Sequence, residues 1–231
     1  MSARVVFVDR DGTLIEEPPD EQVDSLAKIR FMPEVFAALA ELQAAGFRIA
    51  MISNQDGLGT ASFPQALFDA AHGFVMDAFA SQGIVFDAVF ICPHLQRDQC
   101  DCRKPKTRLV ESYVRDTPVD LAASCMIGDR DTDLQFAANL GVRGLRVRRH
   151  GSAGETWPAV VREILARRAH VHRHTRETDI TVNIDLDATE PVEARTGIGF
   201  FDHMLEQLAK HGGFSLRLNC AGDLQIDEHH T

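Results

Sequence analysis

Two aspartates, spaced two residues apart, stand at the end of a short apolar run near the start of the chain. Residues 5–8 (Val-Val-Phe-Val) are typical of a buried strand, and Asp9 and Asp11 follow it, ahead of Gly12 and Thr13. Alternate residues of an extended backbone face the same side, so both carboxylates can converge on one site. Because two like charges that close are unfavourable without a cation, the pair predicts a divalent metal ion. A D-x-D-G sequence alone is also common in turns, so the residues downstream decide between these readings.

Groups suited to a phosphate follow two later stretches of the chain. The apolar residues 47–52 run into Ser53 and Asn54, whose hydroxyl and amide can donate hydrogen bonds to phosphate oxygens. Lys104 lies in the run R-K-P-K, where it can balance the charges of a phosphate and of a nucleophile, whereas Lys106 fits a solvated basic run.

A third set of carboxylates stands at the end of another apolar stretch. Residues 124–127 lead into Gly-Asp-Arg-Asp-Thr-Asp. Ligands bind beyond the carboxyl ends of strands in an open parallel sheet, so Asp129 is placed to complete the metal site. Asp133 fits a role in orienting the groups around it.

Three cysteines and one histidine are closely spaced in the middle of the chain. The residues are Cys92, His94, Cys100 and Cys102. Three thiolates and one imidazole form a closed tetrahedral zinc site of the structural type, with no open position for chemistry. The alternative is a group of ordinary thiols, which the count and spacing disfavour.

The elements needed to position these groups alternate between strands and helices. Amphipathic or capped segments predict helices over residues 33–46, 63–82, 107–115 and 134–140, with short apolar strands between them. The pattern predicts an α/β fold, with a Rossmann-like parallel sheet and helices on both faces. Residues 15–32 are too short to form a separate cap domain.

The composition limits the class of protein. The chain has 231 residues, of which 45% are hydrophobic, and a formal net charge of −10. This charge argues against nucleic acid or an acidic membrane as a partner. No apolar run has membrane-spanning length and no signal peptide is evident, so we expect a cytoplasmic protein.

In their order along residues 1–150, these pieces resemble the haloacid-dehalogenase superfamily of phosphatases; they are Asp9-x-Asp11-Gly12-Thr13, Ser53-Asn54, Lys104 and Gly128-Asp129-x-x-x-Asp133. The cysteine-rich loop narrows the resemblance to the small, capless branch of histidinol and heptose-bisphosphate phosphatases. The resemblance implies that Asp9 attacks phosphorus to form an aspartyl-phosphate. It implies that Asp11 protonates the leaving alkoxide and later activates water.

The same resemblance implies the ligand contacts. Mg²⁺ would be held by Asp9, by the main-chain carbonyl of Asp11 and by Asp129. The transferring phosphoryl oxygens would be bound by Ser53, Asn54 and Lys104.

The character of the chain changes after residue 150. Three of its ten histidines precede residue 151, and seven lie in residues 169–231. Strict alternation over residues 178–186 indicates a half-exposed antiparallel strand, and residues 200–213 fit a helix. We predict three parts: a phosphatase domain over 1–150, a helical linker over 151–175 and a second domain over 176–231. The alternating histidines of residues 170–174 fit a solvated linker or a first strand.

The last part looks like the beginning of imidazoleglycerol-phosphate dehydratase. The matching residues are Arg176-Glu177-Thr178, residues 196–205 (T-G-I-G-F-F-D-H-M-L) and residues 222–231 (G-D-L-Q-I-D-E-H-H-T). The resemblance implies that His203, His229 and His230 bind two Mn²⁺ ions and that Glu177 contacts substrate. That family has a duplicated fold, so we expect an incomplete α+β half-domain with little or no dehydratase activity.

Together the two resemblances follow the order of the bifunctional histidine-biosynthesis enzymes of bacteria. They imply Mg²⁺-dependent hydrolysis of L-histidinol phosphate. In the full-length protein they also imply dehydration of imidazole glycerol phosphate and oligomerisation through the dehydratase domain. A sugar (heptose) bisphosphate phosphatase is one alternative. A module that keeps its aspartyl-phosphate without turnover is another, and the acid/base Asp11 argues against it.

Overall fold

The computed structural model describes residues 2–148 and 153–222. The chain forms two compact units, Met1–Glu163 and Ile164–Thr231. In the described stretches, no helix is both long and apolar enough to span a membrane.

Strands and helices alternate through the first unit and give way to a strand-rich second unit. The strands are β1 (Arg4–Val8), β2 (Phe47–Asn54), β3 (Phe86–Cys92), β4 (Cys125–Gly128), β5 (Arg143–Arg146), β6 (Arg168–His174), β7 (Thr178–Asp185), β8 (Val192–Arg195) and β9 (Ser215–Gly222). The α-helices are α1 (Val35–Ala44), α2 (Gln65–Ser81), α3 (Glu111–Asp116), α4 (Asp131–Leu140), α5 (Trp157–Leu165) and α6 (Gly199–Gly212). Short 3₁₀ helices lie at Leu26–Lys28, Gln96–Asp98 and Arg108–Val110.

The first unit is built on a parallel five-stranded sheet in the order β3-β2-β1-β4-β5. The chain adds β2 and β3 on one side of β1, then crosses to add β4 and β5 on the other. The strand order therefore reverses between β1 and β4, where ligand sites form in open α/β sheets. The predicted α/β fold class with a parallel sheet is confirmed.

Both faces of this sheet are buried. Val5 and Phe7 of β1 pack in one core cluster with Ala50, Ile52, Met126 and Phe136, the last of these from α4. Val6 and Val8 point to the opposite face and are also fully buried. Phe79 of α2 makes edge-on ring contacts with Phe31 and with Phe86 of β3. Burial on both faces explains the continuous apolar runs of these strands.

The segment between β1 and α1 carries no inserted domain. In residues 9–34, all of which are described, the only helix is the 3₁₀ turn Leu26–Lys28. No cap domain is therefore inserted between β1 and α1.

The second unit is a four-stranded sheet in the order β6-β7-β9-β8. β7 pairs antiparallel with β6 and with β9, whereas β8 and β9 are parallel. A parallel pair requires a crossover, which α6 supplies by linking the two strands and packing against both. This mixed sheet with one crossover helix agrees with the predicted α+β character.

Residues 151–175 differ from the predicted linker. Trp157, Val160 and Val161 are buried core residues of α5, most of which lies in the first unit. Residues 168–174 form β6, which pairs with β7 over seven positions although every one of its residues is exposed. The pairing combines backbone hydrogen bonds with polar side-chain contacts, such as His170 Nδ1 to Asn183 Oδ1 at 2.7 Å, and buries no apolar side chain. The sequence of β6 therefore shows no hydrophobic alternation that would have identified a strand. A further difference is that residues 107–115 form a 3₁₀ turn followed by the short α3.

Candidate active site

Three aspartates meet where β1 and β4 end. Asp9 directly follows β1, Asp129 directly follows β4, and Asp133 lies in the first turn of α4. One carboxylate oxygen from each lies within 4.8 Å of the others, and all three residues are buried. We call this group the acidic cluster.

Lys104 is the cation that balances the acidic cluster. Its Nζ lies 2.6 Å from Asp9 Oδ1 and 2.7 Å from Asp133 Oδ1, and it donates to the carbonyl oxygen of Ile52 at 2.9 Å. Burial lowers the pKa of Lys104, but the two carboxylates outweigh burial and hold it above its ordinary value.

The net charge of the acidic cluster and Lys104 is negative enough to be balanced by a divalent cation. Three carboxylates and one ammonium carry a formal charge of −3 + 1 = −2 when all are ionised. Burial, together with the neighbouring Asp133 and Asp129, raises the pKa of Asp9 to about 8, although Lys104 opposes that rise. A divalent metal ion would favour the ionised form, and carboxylate oxygens are the ligands that Mg²⁺ prefers. The donor set therefore fits Mg²⁺.

Two glycines make space for these carboxylates. A Cβ atom at Gly12, whose φ is +80°, would lie 2.5 Å from Asp129 Oδ2. A Cβ atom at Gly128 would lie 2.3 Å from the carboxylate carbon of Asp133. The glycines in D-x-D-G-T and G-D-x-x-x-D are thus required by close approach, and at Gly12 also by backbone conformation.

Asp11 lies outside the acidic cluster, and both of its carboxylate oxygens accept hydrogen bonds. Oδ1 accepts from Arg10 Nη1 at 2.7 Å, and Oδ2 accepts from Gln55 Nε2 at 2.5 Å. Arg10 is fully buried and its guanidinium also lies over the Phe68 ring, 5.1 Å from the ring centre. Asp11 therefore stands next to the cluster as a separately held carboxylate.

Ser53 and Asn54 end β2 but make different contacts. The buried Ser53 hydroxyl oxygen accepts from Gln55 Nε2 at 2.7 Å, which leaves its own hydrogen available to a phosphate oxygen. Asn54 Oδ1 accepts from the main-chain N–H of Lys104 at 3.0 Å, and Asn54 Nδ2 donates to the Lys104 carbonyl at 3.3 Å. These contacts hold the main chain of Lys104 and use one of the two hydrogens on Asn54 Nδ2, so the predicted phosphate contact of Asn54 stays a prediction.

The four predicted zinc ligands lie together: Cys92 is the last residue of β3, and the other three lie on the loop that follows it. Cys92 Sγ is 3.6 Å from Cys100 Sγ and 3.2 Å from Cys102 Sγ. His94 Nδ1 is 3.1 Å from Cys102 Sγ. A tetrahedral zinc ion with its usual bond lengths needs sulfurs about 3.8 Å apart, close to what is observed. We call these four residues the cysteine–histidine cluster.

The thiol chemistry of this cluster also fits a cation. Burial raises the pKa of Cys92 to about 12. A neutral thiol is a poor ligand, so a bound metal ion is what would bring this sulfur to the thiolate form. The donors and their spacing fit zinc.

The cysteine–histidine cluster is hydrogen-bonded to the loop that carries the phosphate-site residues. The main-chain N–H of Gln55 donates to the Cys92 carbonyl at 2.7 Å, and that of Gly57 donates to the Pro93 carbonyl at 3.1 Å. Arg103, next to Lys104, donates to the His94 carbonyl at 3.1 Å. The loop after β2 and the lysine are therefore both tied to the cluster.

A cleft of about 550 Å³ lies beside the loop that follows Asp9 and Asp11, which we call the nucleophile loop. The cleft is lined by Glu16, Glu17, Pro18, Pro19, Glu21, Met32, Pro33, Glu34, Val147, Arg148, Thr156 and Trp157. Trp157 Nε1 donates to the carbonyl of Thr13 at 3.0 Å, and the Glu17 carboxylate accepts from Arg130, which follows Asp129. The cleft combines apolar walls with an excess of carboxylates, which suits a ligand that is partly apolar and positively charged.

Two of the four predicted dehydratase residues lie in the described part of the second unit, and their site stays a prediction. Glu177 is exposed in the turn before β7, and His203 is exposed on α6. His229 and His230 lie outside the described residues. Among the described residues, the two clusters named above are the only groups of histidine, cysteine and acidic side chains close enough to share a metal ion.

The comparisons with known structures decide the family of the first unit. The chain is 31% identical to D,D-heptose 1,7-bisphosphate phosphatase from B. bronchiseptica, whose crystal structure holds magnesium and phosphate. That match has a TM-score of 0.62 and covers 70% of this chain and 98% of the other. A HAD-hydrolase-like family profile also matches residues 101–177. The chain belongs to the haloacid-dehalogenase phosphatases.

Further relatives of this haloacid-dehalogenase phosphatase extend through the second unit. It is 52% identical over 98% of its length to the histidine biosynthesis bifunctional protein HisB of Legionella pneumophila, strain Lens. It is 49% identical over its whole length to the protein of the same name from Campylobacter jejuni, strain 81-176. The chain spans 64% and 65% of the lengths of these two relatives.

A profile of imidazoleglycerol-phosphate dehydratase matches residues 196–231. The predicted relationship to the bifunctional histidine-biosynthesis proteins is therefore confirmed.

Three residues near the acidic cluster were not identified from the sequence. Arg10 stands between the two aspartates, Gln55 ends the run Ser-Asn-Gln, and Trp157 lies far along the chain. The polar run Ser-Asn-Gln at the end of β2 was the sequence feature that could have identified Gln55 as a site residue. No local pattern connects Trp157 with Thr13, because their contact joins residues 144 positions apart.

Proposed function

We propose that this chain hydrolyses L-histidinol phosphate to L-histidinol and inorganic phosphate, as a step of histidine biosynthesis in the cytoplasm. The observation that carries the proposal is the 52% identity to a bifunctional HisB protein over 98% of the chain. The acidic cluster with its buried lysine supports phosphoryl transfer. The carboxylate-lined cleft supports a substrate that carries an amine and an imidazole.

In the proposed mechanism Asp9 is the nucleophile. Lys104 occupies Asp9 Oδ1, so the other oxygen would attack phosphorus. The new Oδ–P bond forms as the bond from phosphorus to the substrate alkoxide breaks, and Asp11 gives its proton to that alkoxide. In the second half Asp11 accepts a proton from water, whose oxygen attacks phosphorus and releases phosphate and the Asp9 carboxylate.

The remaining groups bind and orient the phosphoryl group. Ser53, Asn54 and Lys104 would donate to its oxygens. Mg²⁺, held by Asp9, Asp129 and the main-chain carbonyl of Asp11, would neutralise charge on the phosphate and align it. Asp133 would act indirectly, because it holds Lys104 and accepts from the Arg130 N–H at 3.1 Å.

A zinc ion in the cysteine–histidine cluster would have a structural role. All four positions of a tetrahedral ion would be filled by Cys92, His94, Cys100 and Cys102, so no position would remain for substrate.

Phosphate release with matched substrates tests the proposal. With Mg²⁺, we expect kcat/KM for histidinol phosphate to exceed that for heptose 1,7-bisphosphate by at least tenfold. The reverse preference would support the sugar bisphosphate phosphatase, for which the 31% identity to the B. bronchiseptica enzyme is the specific observation. A single turnover that leaves phosphate on Asp9 would support a phosphate-holding module instead.

For the second unit we propose a dehydratase contribution only within a longer protein. Glu177, His203, His229 and His230 would serve a site with two Mn²⁺ ions, and the longer protein would oligomerise through this domain. We expect this chain not to dehydrate imidazole glycerol phosphate. Formation of imidazole acetol phosphate in the presence of Mn²⁺ would contradict that expectation. We propose no nucleic-acid or membrane partner.

A further inference from the structure

Gln55 makes contacts that the proposed mechanism does not use. It is buried and immediately follows β2. Its main-chain N–H donates to the Cys92 carbonyl at 2.7 Å, and its carbonyl accepts from the Leu58 N–H at 3.2 Å. The backbone of Gln55 is therefore held in place independently of its side-chain contacts.

The Gln55 side chain joins two groups that act on the substrate. Nε2 donates to Asp11 Oδ2 at 2.5 Å and to Ser53 Oγ at 2.7 Å. Both neighbours are oxygen atoms. When Asp11 is ionised, as it is after giving its proton to the alkoxide, it accepts but cannot donate, so the amide nitrogen faces it. The two hydrogens of one –NH₂ group are thus used on the acid/base and on the phosphate-site hydroxyl.

Arg10 binds the other carboxylate oxygen of Asp11. Its Nη1 donates to Asp11 Oδ1 at 2.7 Å, and the guanidinium rests against Phe68. With one donor on each oxygen, the plane of the Asp11 carboxylate is fixed as well as its position. Asp11 is consequently kept apart from the acidic cluster, although it is only two residues from Asp9.

We infer that Gln55, acting with Arg10, is a positioning residue that holds Asp11 where it can protonate the leaving alkoxide. The inference rests on the proposed function of Asp11 as the general acid. Gln55 does not touch the reacting atoms. It acts through Asp11, and through the orientation of the Ser53 hydroxyl.

The test uses the dependence of the rate on the leaving group. An alkoxide needs a proton as it leaves, whereas a nitrophenolate leaves readily without one. Misplacing Asp11 should therefore slow the hydrolysis of an alkyl phosphate much more than that of p-nitrophenyl phosphate. The quantity to compare is kcat/KM, because it reports steps up to leaving-group departure and excludes the later attack of water.

Gln55→Met keeps the side-chain length and removes both hydrogen bonds. We expect kcat/KM for histidinol phosphate to fall about 30- to 100-fold, and that for p-nitrophenyl phosphate to fall less than about threefold. Gln43→Met is the matched control. The Gln43 side chain also makes two hydrogen bonds, here with main-chain atoms: it donates to the Gly83 carbonyl at 2.9 Å and accepts from the Val85 N–H at 2.8 Å. It lies at the end of α1, away from the acidic cluster. We expect the control to change neither rate by more than about twofold.

Equal falls for both substrates, or no fall for either, would overturn the inference. If Gln55→Met does not fold by circular dichroism, Gln55→Ala is measured in its place with the same two outcomes. Failure of the proposed substrate is a separate result. If the wild type prefers another alkyl phosphate, that ester replaces histidinol phosphate and the comparison with the aryl ester still decides the role of Gln55.

Discussion

The acidic cluster and the cysteine–histidine cluster differ in what holds their side chains in place. The carboxylates are buried and project from the ends of strands and a helix of the central sheet, with Lys104 already balancing part of their charge. The cysteines and the histidine are at least partly exposed, apart from Cys92, and come from the last residue of β3 and the loop after it. The first cluster is positioned by the fold, whereas the second positions part of the fold.

This difference separates the expected effects of substitutions. A change in the acidic cluster should remove chemistry and leave the fold, because the sheet holds its backbone in place. A change in the cysteine–histidine cluster should loosen the loop that ties down Gln55 and Lys104, and so affect stability first and activity second.

The largest effect is expected for Asp9→Asn. Removal of the nucleophile should lower kcat for histidinol phosphate at least about 1,000-fold. The melting temperature should stay the same or rise, because a buried like charge is removed next to Asp129 and Asp133. Steady-state phosphate release and thermal unfolding measure the two. A variant with near-normal turnover would exclude Asp9 as the nucleophile.

Asn54→Leu tests the connection between the two clusters. It removes both amide contacts to the Lys104 main chain and keeps the branching and the number of side-chain heavy atoms. The lysine should therefore shift, and kcat/KM should fall about 100-fold for alkyl and aryl phosphates alike. Asn139→Leu is the matched control, since the Asn139 amide donates to the carbonyl of the adjacent Pro105 at 2.8 Å. A large fall in the control would assign the effect to general loosening of residues 104–105.

Cys102→Ser should act mainly on stability. Losing one ligand weakens a tetrahedral zinc site, and we expect a melting temperature lower by more than about 5 °C, which is roughly 2 kcal/mol for a protein of this size. Activity at 25 °C should fall only about tenfold. Zinc content by atomic absorption accompanies the measurement. An unchanged melting temperature with full zinc content would remove Cys102 from the ligand set.

The smallest effect is expected in the cleft. Glu21→Gln and Glu34→Gln neutralise exposed carboxylates, so each should raise KM for histidinol phosphate only about two- to fivefold. KM for p-nitrophenyl phosphate, which has no amine, should not change. Glu41→Gln on the exposed side of α1 is the control. Equal changes for both substrates would show that the carboxylates do not distinguish the amine.

Much of the first unit was predictable because its signals are local. The apolar strands, the aspartates that follow them and the spaced cysteines are short segments whose chemistry can be recognised one at a time. The parallel sheet then brings Asp9 and Asp129 together by a general rule of strand order. The position of Lys104 also followed, since it stands between the cysteine loop and a proline.

The partners of these residues were harder to predict. Asn54 was predicted to donate to phosphate, but its two contacts with the Lys104 backbone were not predicted, because they join residues 50 positions apart. The contacts of Gln55 with Asp11 and of Trp157 with Thr13 depend on tertiary distances that no spacing encodes. In the second unit, β6 has no buried residue, so its pairing left no hydrophobic pattern to detect.

The hydrogen bond from Trp157 to Thr13 determines where an independent phosphatase could be cut from this chain. Trp157 is only 2% exposed, and its indole donates to the loop that follows the two aspartates. A truncation after residue 150, the limit that sequence motifs favour, would delete that indole and leave a hole beside the nucleophile loop. An excised version should therefore retain all of α5, and its shortest useful form ends after Leu165.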